Sequence, residues 1–130
     1  QCGIDETKVI RVAQRQCEKL DVWEGIYRVK TLTDKIEQWA KDRNLDTADP
    51  NKQVLKLGEE FGELCEGMAK NRTDDVKDAI GDMYVVMTIL SMQLGFFVDE
   101  CVYQAYNEIK DRKGKMINGV FVKEEDLNDN

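Results

Sequence analysis

The sequence predicts an all-α protein, an antiparallel helical bundle that ends in a short irregular or hairpin tail. Three observations carry this. Apolar residues recur at three- and four-residue spacing over most of the chain. One proline and nine glycines in 130 residues leave room for long helices. A single β-prone stretch, Met116 to Val122, stands near the end. With 42% hydrophobic and 35% charged residues, residues 1–130 suffice for one domain with a core that needs no covalent staples.

Five helices follow in order. The first spans about Asp5 to Leu20, with Val9, Ile10, Val12, Ala13, Cys17 and Leu20 on its apolar side. Asp21 to Arg28, which contains Gly25, reads as a connection. The second helix covers Leu32 to Arg43, turns Ile36, Trp39 and Ala40 inward and ends at Asn44. Asn44 to Asn51 holds the only proline and reads as a loop. The third runs from Lys52 to Lys70, with a core stripe of Leu57, Phe61, Leu64 and Met68. After a break at Asn71-Arg72, Thr73 is a suitable N-cap. The fourth helix then runs from Asp74 to Leu94, and Gly95 ends it. The fifth covers Val98 to Lys113. An Asn-Gly pair within Met116–Val122 signals a hairpin turn, and Glu124 to Asn130 reads as a loose acidic tail.

The net charge of −7 opposes general binding to nucleic acid or to a membrane surface, because phosphate backbones require clustered Lys and Arg. The chain has no histidine, which removes imidazole acid–base chemistry, Ser-His-Asp systems and His-containing zinc sites. Cys2, Cys17, Cys65 and Cys101 form no CxxC pair. The last three fall within helical segments and read as small buried hydrophobes in a reducing, cytoplasmic setting. No signal peptide is legible. Met83 to Val98 is interrupted by Thr88, Ser91, Gln93 and Gly95 and is too short and polar to span a bilayer.

The chemistry concentrates in two acidic runs. The third helix carries Glu59-Glu60-Phe-Gly-Glu63 and the fourth carries Asp78-Ala-Ile-Gly-Asp82. Residues three and four apart share a helix face, so Glu60 neighbours Glu63 and Asp78 neighbours Asp82. Glu60 borders the apolar stripe of its helix, and the aspartate row continues as Val85, Val86, Ile89 and Met92. Measured from the break, Glu63 and Asp78 lie about eight and seven residues away, and Glu60 and Asp82 about eleven each; at about 1.5 Å per residue the paired heights agree within roughly 3 Å. Helices joined by so short a break pack side by side. Four converging carboxylates repel unless a cation neutralises them, and oxygen ligands favour Mg²⁺ or Mn²⁺. The plainer reading is a solvated acidic face. It suits Asp74 and Asp75, which favour a helix N-terminus, and Glu66.

These residues resemble the MazG-like all-α NTP pyrophosphohydrolases, especially their phage-type members. The family pattern is EExxE, a spacer, then ExxD. Glu59, Glu60 and Glu63 match its first half, and Asp82 with the following Met-Tyr-Val-Val matches its end. The Glu of ExxD is replaced by Ala79 here, one residue after Asp78. Trp39-Ala-Lys-Asp-Arg-Asn-Leu, Asn107-Glu-Ile-Lys110-Asp-Arg112-Lys-Gly-Lys115 and Met116-Ile-Asn-Gly-Val-Phe are similar to further family segments. The likeness covers residues 32 to 126, which leaves residues 1–31 as an extra N-terminal helix and connection. It implies the fold of the all-α NTP pyrophosphohydrolases and Mg²⁺-dependent cleavage of an NTP or dNTP to monophosphate and pyrophosphate. It further implies Glu60, Glu63 and Asp82 as metal ligands, Asp78 as a fourth, and Glu59 as general base.

The candidate substrate-binding residues are Lys56, Asn107, Lys110, Arg112, Lys115, Trp39 and Tyr84. The last basic residues also suit the C-terminus of a helix, and core packing is the plainer role for Trp39 and Tyr84. Apolar residues on several faces of the fourth and fifth helices, together with the resemblance, point to a homodimer or a dimer of dimers. Two other readings stay open: a non-catalytic helical module binding a basic partner, and a pyrophosphohydrolase acting on a phosphoribosyl nucleotide.

Overall fold

The computed structural model describes residues 20–128, with side chains described over residues 30–127. It contains α1 (Leu20–Asp42), α2 (Pro50–Ala69), α3 (Thr73–Gln93) and α4 (Val98–Ile109). A hairpin of β1 (Gly114–Ile117) and β2 (Val120–Lys123) follows, and short 3-10 turns occupy Leu45–Thr47 and Glu124–Asn128. The chain is thus all-α with a short C-terminal hairpin, as its periodicity predicts. Two compact units meet in sequence at Gly95 and Phe96. The predicted helix from Asp5 lies outside the described residues except at Leu20, as do Cys2 and Cys17.

In the first unit α3 is the middle helix. It packs on α2 along one side and on α1 along another, while α1 and α2 do not pack on each other among the described residues. The side facing α2 carries Ala79, Val86 and Ile89, all buried. The side facing α1 is marked by a 2.6 Å hydrogen bond between the Tyr84 and Thr33 hydroxyls. Thr88 and Ser91 share that face of α3 and are buried with Thr33 and Ala40. Their hydroxyls donate to the carbonyls of Tyr84 and Met87, four residues back, so small polar residues fill a tight interface without orphaned donors. Gln93 donates to the Leu45 carbonyl at 2.9 Å and fixes the turn after α1.

The connections use the predicted residues. Asn44 and Asn71 adopt the left-handed conformation, with φ of 58° and 54°. After α2 the Arg72 amide donates to the Gly67 carbonyl and the Asn71 amide to the Met68 carbonyl, the Schellman arrangement. Asp49 caps α2 by accepting from the Asn51 amide at 2.9 Å, with Pro50 as first helical residue. Gly95, at φ 84°, ends the run after α3.

Several expectations are corrected. Asp21 to Arg28 is part of α1 and not a connection; one glycine costs only about 1 kcal/mol in a helix, and no proline breaks this segment. The inward stripe of α2 is Gln53, Leu57, Glu60, Leu64 and Gly67. Phe61 and Met68 are 55% and 63% exposed, so the stripe lies one position away from the bulkiest residues. Gly67 explains part of the shift: a Cβ there would stand 3.1 Å from Val76 Cγ2, so its absence lets the helices close at the turn. Thr73 is the first helical residue, and Arg72 takes the cap position without a side-chain bond. Trp39 is 45% exposed instead of inward, with the Arg43 guanidinium 4.3 Å above its ring. Cys65 and Cys101 are exposed, Cys65 on a face of α2 outside its inward stripe.

In the second unit α4 stops at Ile109, short of Lys113, so Lys110 and Arg112 follow the helix. Asn118 and Gly119 have φ of 51° and 79°, as a type I′ turn requires, and pair Ile117 with Val120 and Gly114 with Lys123. A Cβ at Gly114 would come within 2.2 Å of the Val122 carbonyl oxygen. The predicted loose tail is a 3-10 turn over Glu124–Asn128 that packs on both strands. No single described helix is long and apolar enough to cross a membrane.

Candidate metal centre

The two acidic runs meet across α2 and α3. Glu60, Glu63 and Asp82 each offer a carboxylate oxygen, and these three oxygens all lie within 4.8 Å of one another. Ligand oxygens on opposite sides of Mg²⁺ stand about 4.2 Å apart, so the trio can coordinate a metal ion after small side-chain adjustments. Glu60 sits in the middle of the inward stripe of α2 and is 5% exposed. One of its oxygens pairs with the Lys56 ammonium at 3.1 Å. The other, Oε2, is buried without a hydrogen-bond partner. Burying an unpaired carboxylate oxygen is costly, and a cation shared with Glu63 and Asp82 would remove that cost.

The electrostatics agree with the geometry. Glu63 is held above the usual carboxylate value, first because its carboxyl, when protonated, donates to the Glu60 carboxylate and then by the Glu60 charge; with both groups ionised, Oε2 of Glu60 has no donor. Asp82 is raised by partial burial, then by the charges of Asp78 and Glu60. Lys56 is raised by its bonds to Glu60 and Glu59. This lysine bridges the two glutamates, with Glu59 at 3.4 Å, so the cluster has one resident counter-charge that the sequence did not reveal. Glu59 is largely exposed, while Glu66 is held down by Lys70.

Asp78 is exposed and stands beside the trio. It lines a hollow of about 310 Å³ with Glu63, Glu66, Gly67, Arg72 and Asp75. Ala79, one residue after Asp78, is 1% exposed and serves the core. Arg72 is the functional candidate that sequence reasoning missed. It brings a guanidinium into the acidic hollow, held only loosely by Asp75 at 3.8 Å. Its signal was its place in the break between the two acidic helices.

Of the remaining candidates, Tyr84 and Trp39 belong to the first unit. Tyr84 uses its hydroxyl on Thr33. Trp39 lines an apolar hollow of about 330 Å³ with Leu32, Lys35, Ile36 and Val85. Asn107, Lys110, Arg112 and Lys115 belong to the second unit. Asn107 is partly buried on α4, and Lys115 is exposed on β1. Arg112 joins Lys113, Lys123 and the acids Glu108, Asp111, Glu124 and Glu125 around a mixed-charge hollow of about 600 Å³.

No family model matches the chain, and no solved structure matches it. It is similar to the uncharacterized 18.2 kDa protein in the rep-hol intergenic region of Haemophilus phage HP1, with 58% identity over 66 residues. That match covers 50% of this chain and 40% of the phage protein.

Proposed function

We propose that the chain is a Mg²⁺-dependent nucleoside triphosphate pyrophosphohydrolase that uses Glu60, Glu63 and Asp82 as metal ligands. The observation that carries this reading is the buried, unpartnered Oε2 of Glu60 within a three-carboxylate cluster. The motif order described above supports the reaction class. A bound divalent cation would neutralise phosphate oxygens and favour attack by water. Water would form the new bond to the α-phosphorus as the bond to the bridging oxygen breaks, releasing pyrophosphate. Glu59, exposed at the edge of the cluster, would take the proton of that water. Arg72 and Asp78 border the same hollow; Arg72 would contact phosphate, and Asp78 would complete the acidic shell. Lys56, Asn107, Lys110, Arg112 and Lys115 stay candidates for phosphate contacts, and Trp39 and Tyr84 for base stacking. Mn²⁺ would substitute for Mg²⁺.

Two observations favour a second reading. Lys56 already balances part of the acidic charge, and Ala79 removes one family carboxylate. A non-catalytic module that binds a basic partner needs no more than this. A panel of NTPs and dNTPs with Mg²⁺ or Mn²⁺, quantifying monophosphate and pyrophosphate, separates the two. Pyrophosphate release lost in Glu63→Gln supports the enzyme. No turnover across the panel, or orthophosphate as first product, rejects it.

A further inference from the structure

Lys56 stands one helical turn before the acidic run of α2, on the face that carries Glu59, Glu60 and Glu63. Its side chain is 52% exposed, so core packing is not its role. The ammonium lies 3.1 Å from Oε1 of Glu60, the buried carboxylate, and 3.4 Å from Oε2 of Glu59. Oε2 of Glu60 has no hydrogen-bond partner. The two oxygens of this one carboxylate are therefore unlike. Oε1 is engaged from the preceding turn of its own helix, and Oε2 is left for whatever enters the cluster with Glu63 and Asp82. The same ammonium pulls Glu63 and Asp82 down, against the burial and like charges that raise them. Its influence thus extends over all three carboxylates.

We propose that Lys56 sets the ion selectivity of the cluster, by holding Oε1 of Glu60 so that this ligand offers a metal one oxygen and not two. The inference rests on the metal centre proposed above and not on hydrolysis. Mg²⁺ needs near-octahedral oxygens at about 2.0–2.1 Å and retains several waters, which three one-oxygen carboxylates allow. Ca²⁺ takes about six to eight oxygens at about 2.3–2.6 Å and gains from a carboxylate that chelates through both. Glu60 is where that difference tells, because it meets the cluster from within the packed stripe and is only 5% exposed. Water cannot make up a missing ligand on that side, whereas it can beside the exposed Glu63. A lysine suits the task, since a compact ammonium engages one oxygen where the fork of an arginine covers two. Repulsion from the ammonium weakens both ions alike, because each carries two charges. The ratio of their affinities therefore isolates the effect of geometry.

The test uses the full metal-free chain with ions alone and no nucleotide. Free Mn²⁺, counted by its electron paramagnetic resonance signal, gives one affinity, and competition by Mg²⁺ and by Ca²⁺ gives theirs. Lys56→Met keeps the apolar stem and removes the ammonium. It should move the ratio of affinities toward Ca²⁺ by about tenfold, the low end of what losing an outer hydrogen bond does to a metal ligand. Lys70→Met removes an equal charge at the end of the same helix, where the partner is Glu66, and should leave the ratio unchanged. A ratio unmoved by Lys56→Met, shifted by it toward Mg²⁺, or moved as far by Lys70→Met overturns the role of Lys56 while the metal centre stands. A wild type that binds no Mn²⁺, or a Glu63→Gln variant that binds it fully, overturns the metal centre and this inference together. If Lys56→Met loses helix by circular dichroism, Lys56→Ala takes its place with the same expectations, because alanine favours the helix and cannot reach Glu60.

Discussion

Glu60 combines 5% exposure, one ion pair and one orphaned oxygen, so charge removal and ligand removal can be separated there. Glu60→Gln and Asp82→Asn keep size and shape. Without metal, both variants should melt no lower than the wild type. Mg²⁺ at about a hundredfold excess over Kd should stabilise the wild type by about 2.7 kcal/mol, several degrees in Tm, and the variants should lose most of that gain. Full retention of the shift by either variant would place the ion elsewhere. The pH dependence follows from Glu63 and Asp82. In the unfolded chain they ionise near 4.5 and 3.8, and in the folded chain at higher pH. Between those values the folded state holds more protons, so stability falls as pH rises through the window. Glu66, held down by Lys70, acts oppositely; like the exposed Glu63 it is screened by solvent, so the half-buried Asp82 carries most of the effect. The metal-free chain should therefore lose stability as pH rises from about 4 to neutrality through this window, and saturating Mg²⁺ should oppose that loss because bound ligands must be deprotonated. Calorimetry across that range, with and without Mg²⁺, checks this. The carboxylate trio was legible because i, i+3 spacing and distance from the turn fix height and face. Lys56 was named as a phosphate contact, but its bridge to Glu59 and Glu60 was not foreseen. That depends on rotamers, which spacing does not specify.

Among the elements, α3 carries the largest buried apolar residues described. Ile89 is 4% exposed, and Ile89→Ala should cost about 2–4 kcal/mol by urea unfolding. Phe61→Ala, by contrast, removes a side chain that the single chain leaves mostly in water. It should cost under about 1 kcal/mol under conditions that hold the chain monomeric. Gly114→Ala should disrupt the hairpin, seen as lost amide protection across Lys115–Val122, since no movement of one atom relieves a 2.2 Å approach to backbone. Helix ends were readable from Asn44, Asn71 and Gly95, and the hairpin turn from Asn118-Gly119, because the left-handed backbone there favours those residues. Continuous helix through Gly25 was not, because propensity alone does not forbid a single glycine. The stripe of α2 was misplaced for a different reason. Sequence patterns assign the interior to bulk, whereas close approach at the turn selected Gly67 and the centre selected Glu60.

At the scale of the molecule, the order of packing in the first unit has its own consequence. Among the described residues α1 and α2 meet only through α3, so the three helices form a row and not a closed triangle. Either outer helix can peel away while the other interface persists, whereas exposing the middle of α3 requires both to leave. Amide exchange should therefore be layered: slowest from Val86 to Ser91, with faster and separate opening for α1 and α2. Two local openings would then coexist, one uncovering Asp82 and the other Tyr84, on opposite sides of the same two turns of helix.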